Sequence, residues 1–278
     1  MTPARSRPVL TDLDRSFETL GFVRVPIGSH QSFWDLRQWL LATANDWLRT
    51  RGCRRELTKL EESHLAIGND AVNEVRLHSY HELNQHPTIR DSYLTWVHDA
   101  LEHLVGNELA MQRKINLSIQ QPGDAASILP LHSDALAGDS PFQVVVWIPL
   151  TAAHGSNAMF LLPPVPSHEV LQQVAGGRLA ALEDIGQDHR AQLQTIDAVP
   201  GEAIIFDSTC LHGNQLNDTT ASRWSLNCRF VSVFAPWTSP ERRVGSFYSP
   251  VQLRCASRIG LRFLDVVRRS AETGERGQ

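Results

Sequence analysis

The hydrophobic period of this chain changes near residue 107, and that change limits the possible folds more than any single motif does. Ahead of it, apolar residues recur at the three- and four-residue spacing of a helix face; behind it, they fall in short runs separated by turn residues. Phe33, Leu36, Leu40, Ala44 and Trp47 follow Ser32 and Asp35, a capping-box pair, so a helix is predicted over about residues 32–49. Ile89, Tyr93, Trp96, Ala100 and Leu104 make a second stripe, opened by Pro87-Thr88 and closed by Gly106. A short helix and the strand Gly21-Phe22-Val23-Arg24-Val25 are expected between Asp12 and Ile27, whereas residues 50–86 are polar and ambiguous. Beyond the change, strands are predicted within Leu109 to Gln120, Phe142 to Leu150, Ala158 to Leu162, Ala203 to Phe206 and Trp224 to Phe234. A helical insertion at about 167–190, weakened or kinked by Gly176-Gly177, and an amphipathic helix at about 258–270 complete the pattern.

Helices followed by many short strands, without βαβ alternation, predict a mainly β fold with flanking helices. The expected core is a double-stranded β-helix, a cupin-like jelly roll, with an N-terminal helical region. Residues 1–278 are read as a single domain: a helix-rich flank over 1–107, the jelly-roll core over 108–235 and a C-terminal extension over 236–278.

Composition narrows the partners. Hydrophobic residues at 42% and charged residues at 20% are those of a globular chain, and a net charge of −4 offers no broad attraction to polyanions, which argues against nucleic acid as a partner. No run approaches a membrane span, and Met1 to Val9 leads into no apolar stretch of the signal-peptide kind, so a cytoplasmic protein without a membrane partner is expected. Cys53, Cys210, Cys228 and Cys255 lack CxxC spacing and are read as buried free thiols. The 12 histidines hint at metal chemistry without locating it.

Nucleotide-binding and common hydrolase motifs (GxxxxGK[ST], a strand-linked GxGxxG, GxSxG, HExxH) are missing. Leu131-His132-Ser133-Asp134 stands out instead. If this segment is extended, His132 and Asp134 point to one side and present an imidazole and a carboxylate to one ion. His212 follows the apolar strand Gly201–Asp207, and two imidazoles with one carboxylate leave an octahedral Fe(II) open on its other face, the arrangement non-haem oxygenases use. His154, which also precedes a glycine, competes for the third position but has no arginine behind it until Arg178. Eleven residues after His212 comes Arg223-Trp224-Ser225, where strand alternation puts a guanidinium fork and a hydroxyl on one face, fit to hold a carboxylate.

Together, His132-x-Asp134, His212 and Arg223-x-Ser225 resemble the Fe(II)- and 2-oxoglutarate-dependent dioxygenases of the phytanoyl-CoA-dioxygenase-like branch, across about residues 109–235. Asn116–Gln120, His132–Asp134 and Trp147–Leu150 further resemble oxygenases of sporadic carbohydrate-biosynthesis clusters. The resemblance implies a metal triad of His132, Asp134 and His212, with dioxygen and 2-oxoglutarate as co-substrates. It places the far carboxylate of 2-oxoglutarate on Arg223 and Ser225, with Trp147 and Asn116 as further contacts. It also implies oxidation of a C–H bond of a small molecule, a sugar, aminosugar or other natural-product intermediate being the expected class, by hydroxylation, desaturation or ring closure, with release of succinate and carbon dioxide. Asp134 stands where related halogenases carry a small residue, so halogenation is not expected.

Two alternatives stay open: a cupin-like metal enzyme in which Arg223 binds the substrate's own carboxylate, and a non-catalytic jelly-roll binding module. The helical N-terminal part and residues 135–142 and 236–250 are expected to roof the mouth, and Glu74, Arg76, His78 and His81 are a candidate substrate lid. Homo-oligomerisation is left open.

Overall fold

The computed structural model describes residues 12–27, 31–237 and 239–274; Met1 to Val9 lies outside them. The first part is helical as expected: α1 (Asp12–Leu20), strand β1 (Phe22–Pro26), α2 (Gln31–Thr50), α3 (Val72–Gln85) and α4 (Ile89–Leu104). Both predicted stripes are buried, with Phe33, Leu36, Leu40 and Ala44 on α2 and Ile89, Tyr93, Trp96 and Ala100 on α4. Ser32 does not pair with Asp35 as a capping box. It lies inside the first turn of α2 and accepts a hydrogen bond from Trp96 Nε1 (3.0 Å), tying α2 to α4. Helix α3 falls in the ambiguous stretch because its buried stripe is only Val72, Val75, Ser79 and Leu83, one of them polar.

Strands β2 (Leu109–Gln112), β3 (Asn116–Gln120), β4 (Gln143–Pro149), β7 (Glu202–Asp207), β9 (Arg223–Ser232) and β10 (Tyr248–Gln252) join β1 in a seven-stranded antiparallel sheet of order β1-β7-β4-β9-β2-β10, with β3 also on β9. A second sheet contains β5 (Met159–Leu161), β6 (Gln194–Ile196) and β8 (His212–Asn214) in the order β6-β5-β8. A bridge between His132 and His212 lengthens its edge. The sheets form a jelly-roll core rather than a closed barrel.

Two-sided burial explains the apolar runs, because successive side chains of a strand point to opposite faces. Val144, Val146 and Ile148 of β4, with Trp224, Leu226, Cys228 and Phe230 of β9, pack against the helices. Val145 and Trp147, with Ile204 and Phe206 of β7, face the small sheet. The helical layer is also fastened to the sheet by polar bonds: the Tyr93 hydroxyl donates to Val146 O (2.8 Å), and Trp224 Nε1 donates to Ser63 Oγ (3.0 Å).

The insertion is two helices, α5 (Pro164–Ala175) and α6 (Gln187–Arg190), rather than one kinked helix. Gly177 adopts φ 66°, a left-handed conformation that ends α5 instead of bending it. The terminal helix α7 spans Cys255–Gly274. All four cysteines are free, but only Cys210 and Cys228 are buried, while Cys53 is half-buried and Cys255 exposed. No helix among the described residues is long and apolar enough to cross a membrane.

Candidate active site

His212 opens β8, and its backbone N–H and carbonyl both pair with His132, so the ladder itself brings the two imidazoles together. Their ring centroids lie 4.2 Å apart, and the candidate ligand atoms of His132, Asp134 and His212 all fall within 4.8 Å of one another. Asp134 is not delivered by strand alternation, as the sequence had suggested. It sits in a tight turn in which Ala137 N bonds Ser133 O and Asp139 N bonds Asp134 O, and that turn swings its carboxylate to 3.9 Å from His132 Nε2.

Each histidine is oriented by a backbone carbonyl: His132 Nδ1 bonds Pro130 O (2.8 Å), and His212 Nδ1 bonds Cys210 O (3.0 Å). A carbonyl only accepts, so Nδ1 carries the proton and the Nε2 lone pair is free for a cation. Burial, with His132 nearby, pushes the His212 pKa down to about 4. Burial acts to raise Asp134, but Arg229 and the two histidines outweigh it and hold the carboxyl below its ordinary value. The triad thus brings two imidazoles and one carboxylate around a common point, a donor set that suits Fe(II). His154 is exposed and outside this group.

Unfolded His212 titrates near 6.5 while the folded residue resists protonation down to about 4, so the unfolded chain binds more protons between those values. The metal-free protein is expected to lose up to about 3 kcal/mol from this group as pH falls through that window, and His212→Gln should flatten the decline of Tm with pH. Gly213 lets β8 approach the 129–132 segment: an alanine Cβ there would meet Leu129 O at 2.7 Å and the Phe160 ring at 3.0 Å. Gly213→Ala is expected to cost about 1–3 kcal/mol in urea denaturation.

The triad opens into a cavity of about 640 Å³ between the two sheets. Arg223 and Ser225 line it from β9, as alternation requires. Arg223 is 4% exposed; its Nη1 donates to Asn157 O (3.1 Å), its Nε has no partner, and no carboxylate among the described residues forms an ion pair with it. Burial alone lowers its pKa to about 10. The buried Ser225 Oγ is also unpartnered. A buried cation beside an orphaned hydroxyl is costly when empty and fits an incoming carboxylate. Trp147 lines the cavity with its ring 5.9 Å from the Arg223 guanidinium. Asn116 is not a lining residue; it donates to Asn227 Oδ1 (2.8 Å), and Asn227 lines the cavity.

Of the expected roof, the helical flank lines the cavity through Val72, Asn73 and Arg76 of α3, joined by residues 126–129, whereas none of the described residues of 135–142 and 236–250 does. Of the proposed lid residues only Arg76 reaches the cavity, and Glu74 pairs with Arg51. Arg229 was missed. It is the fourth residue of the alternating series Arg223, Ser225, Asn227, Arg229 on one face of β9, a signal present in the sequence, and it grips Asp134 with Nη2 at 2.7 Å and Nε at 3.1 Å.

A jelly-roll core thus holds a His-Asp-His triad on the wall of one cavity beside a buried arginine, a donor set of the kind that non-haem iron oxygenases use. Residues 38–225 match the model of the phytanoyl-CoA dioxygenase (PhyH) family, and the chain belongs to that family. Over 99 residues it is 28% identical to the streptomycin biosynthesis protein StrG of Streptomyces griseus, a match spanning 35% of each chain, so it covers about a third of that curated relative's length. Among solved structures, the apo form of the non-heme monooxygenase ThoJ has a similar fold (TM-score 0.53, 21% identity, 87% of this chain and 84% of that one). So has apo EctD from S. alaskensis (TM-score 0.57, 15% identity, 90% and 89%).

Proposed function

We propose that His132, Asp134 and His212 hold Fe(II), that Arg223 and Ser225 receive the far carboxylate of 2-oxoglutarate, and that the chain oxidises a C–H bond of a small polar natural-product intermediate such as a sugar or aminosugar. The observation that carries the reading is Arg223, a buried cation without an anionic partner on the wall of the cavity that contains the triad. Bound there, the metal and co-substrate supply dioxygen activation coupled to decarboxylation of 2-oxoglutarate to succinate. The chain's own residues orient and insulate. Arg223 fixes one end of the co-substrate, Ser225 donates to the same carboxylate, and Val145, Trp147, Met159 and Phe206 keep the cavity wall apolar so that water is excluded.

Asn73, Arg76, Ser118 and Asn227 add hydrogen-bonding groups to a wall that is otherwise largely apolar, and these groups could fix the hydroxyls of a polar substrate. The similarity to a streptomycin biosynthesis protein supports the same class. Free cysteines accord with a reducing, cytoplasmic setting, and we read residues 1–278 as one dioxygenase domain without a nucleic-acid or membrane partner.

The test is a substrate screen on protein purified under nitrogen and loaded with Fe(II). Succinate release in air should be stimulated by aminosugars, aminocyclitols or nucleotide sugars, with a product one oxygen heavier or two hydrogens lighter. Stimulation by fatty-acyl thioesters alone would reject the substrate class.

A further inference from the structure

Arg229 lines the cavity, yet its guanidinium fork is turned onto protein partners. Its Nε and Nη2 hold the two oxygens of Asp134, Nε also lies 2.9 Å from Asp139 Oδ2, and Nη1 reaches Gln112 Oε1 (3.3 Å). Asp139, whose side chain is 2% exposed, in turn pairs with Arg242 Nη1 at 2.8 Å. Arg242 belongs to the short helical turn Pro240–Arg242, outside the cavity, with its side chain one third exposed. Ser140 Oγ bonds Pro236 O (2.8 Å), fastening the same two segments beside the ion pairs. Four side chains of alternating charge thus run from Asp134 to the C-terminal extension.

A carboxylate on a turn has two soft torsions, and a guanidinium fork that bonds both its oxygens removes that freedom. We propose that Arg229, Asp139 and Arg242 form a brace that fixes the direction of the Asp134 carboxylate, so that Arg242 governs metal affinity from outside the cavity. All three are positioning residues. The inference rests on the reading of His132, Asp134 and His212 as metal ligands.

Charge and orientation make opposite demands here. Removing an arginine near a divalent cation relieves repulsion, so a merely Coulombic influence would tighten metal binding. A brace predicts the reverse. Co(II) titration of the metal-free, full-length protein, followed by the d–d absorption spectrum, separates the two. Arg229→Lys, which keeps the charge and loses the fork, is expected to weaken Co(II) binding about 10–100-fold and to alter the spectrum. Arg242→Gln, at a site one third exposed and outside the core, should weaken it by about threefold to tenfold, with Arg242→Lys restoring most of the loss. Unchanged or tighter binding in Arg229→Lys and Arg242→Gln would overturn the brace. His212→Ala is the control for the underlying reading: it should abolish Co(II) binding, and if it does not, the ligand assignment fails along with the brace.

Discussion

Replacing His212 by alanine is expected to abolish 2-oxoglutarate turnover and Co(II) binding together, while His154→Ala leaves both within about twofold of the parent protein. The two histidines precede glycines in the same way in sequence, and the fold separates them. His212 shares a bridge and a 4.2 Å ring contact with His132, whereas His154 sits exposed at the start of the turn Gly155–Asn157. Removing His212 also takes away the donor that burial keeps neutral down to about pH 4, which leaves one imidazole and one carboxylate. Succinate release measured beside a metal titration gives the result. Turnover surviving in His212→Ala and lost in His154→Ala would reverse the ligand assignment.

Arg223→Met is expected to separate function from stability. The truncation removes a charge-assisted clamp on 2-oxoglutarate and should cost about 2–5 kcal/mol of co-substrate binding, roughly 30-fold or more in Kd. The ligand-free protein should nevertheless become more stable, by about 1–4 kcal/mol, because a buried guanidinium without an anion gives way to a well-packed apolar chain. Arg223→Lys should recover part of the binding, since a point charge remains but the fork is lost. Urea denaturation without ligand and a 2-oxoglutarate titration by calorimetry read the two quantities independently. A destabilised Arg223→Met protein that binds 2-oxoglutarate normally would mean that Arg223 serves the fold alone.

How much of this was legible depends on how local each signal is. The stripes of α2 and α4 and the runs of β4, β7 and β9 were readable because backbone geometry imposes their period on the side chains it buries. Arg223 and Ser225 belong to one face of β9 by the same rule, and Asn227 and Arg229 extend that face. Helix α3 was missed because one position of its narrow stripe is Ser79. The partnership of Asp134 was misread in cause though not in outcome: the residue reaches His132 from a turn, where alternation carries no information.

The sequence by itself therefore determined the helical flank, the β core, the donor types and the side of β9 on which the arginine and serine stand. Each of these depends on residues a few positions apart along the chain. Only the tertiary structure decided that His132 and His212 meet through a backbone bridge, that residues 126–129 line the cavity, and that Arg242 is linked to Asp134 through Asp139 and Arg229. Those choices follow from the packing of two sheets and a distant turn against one another, and no period along the chain encodes such a long-range contact.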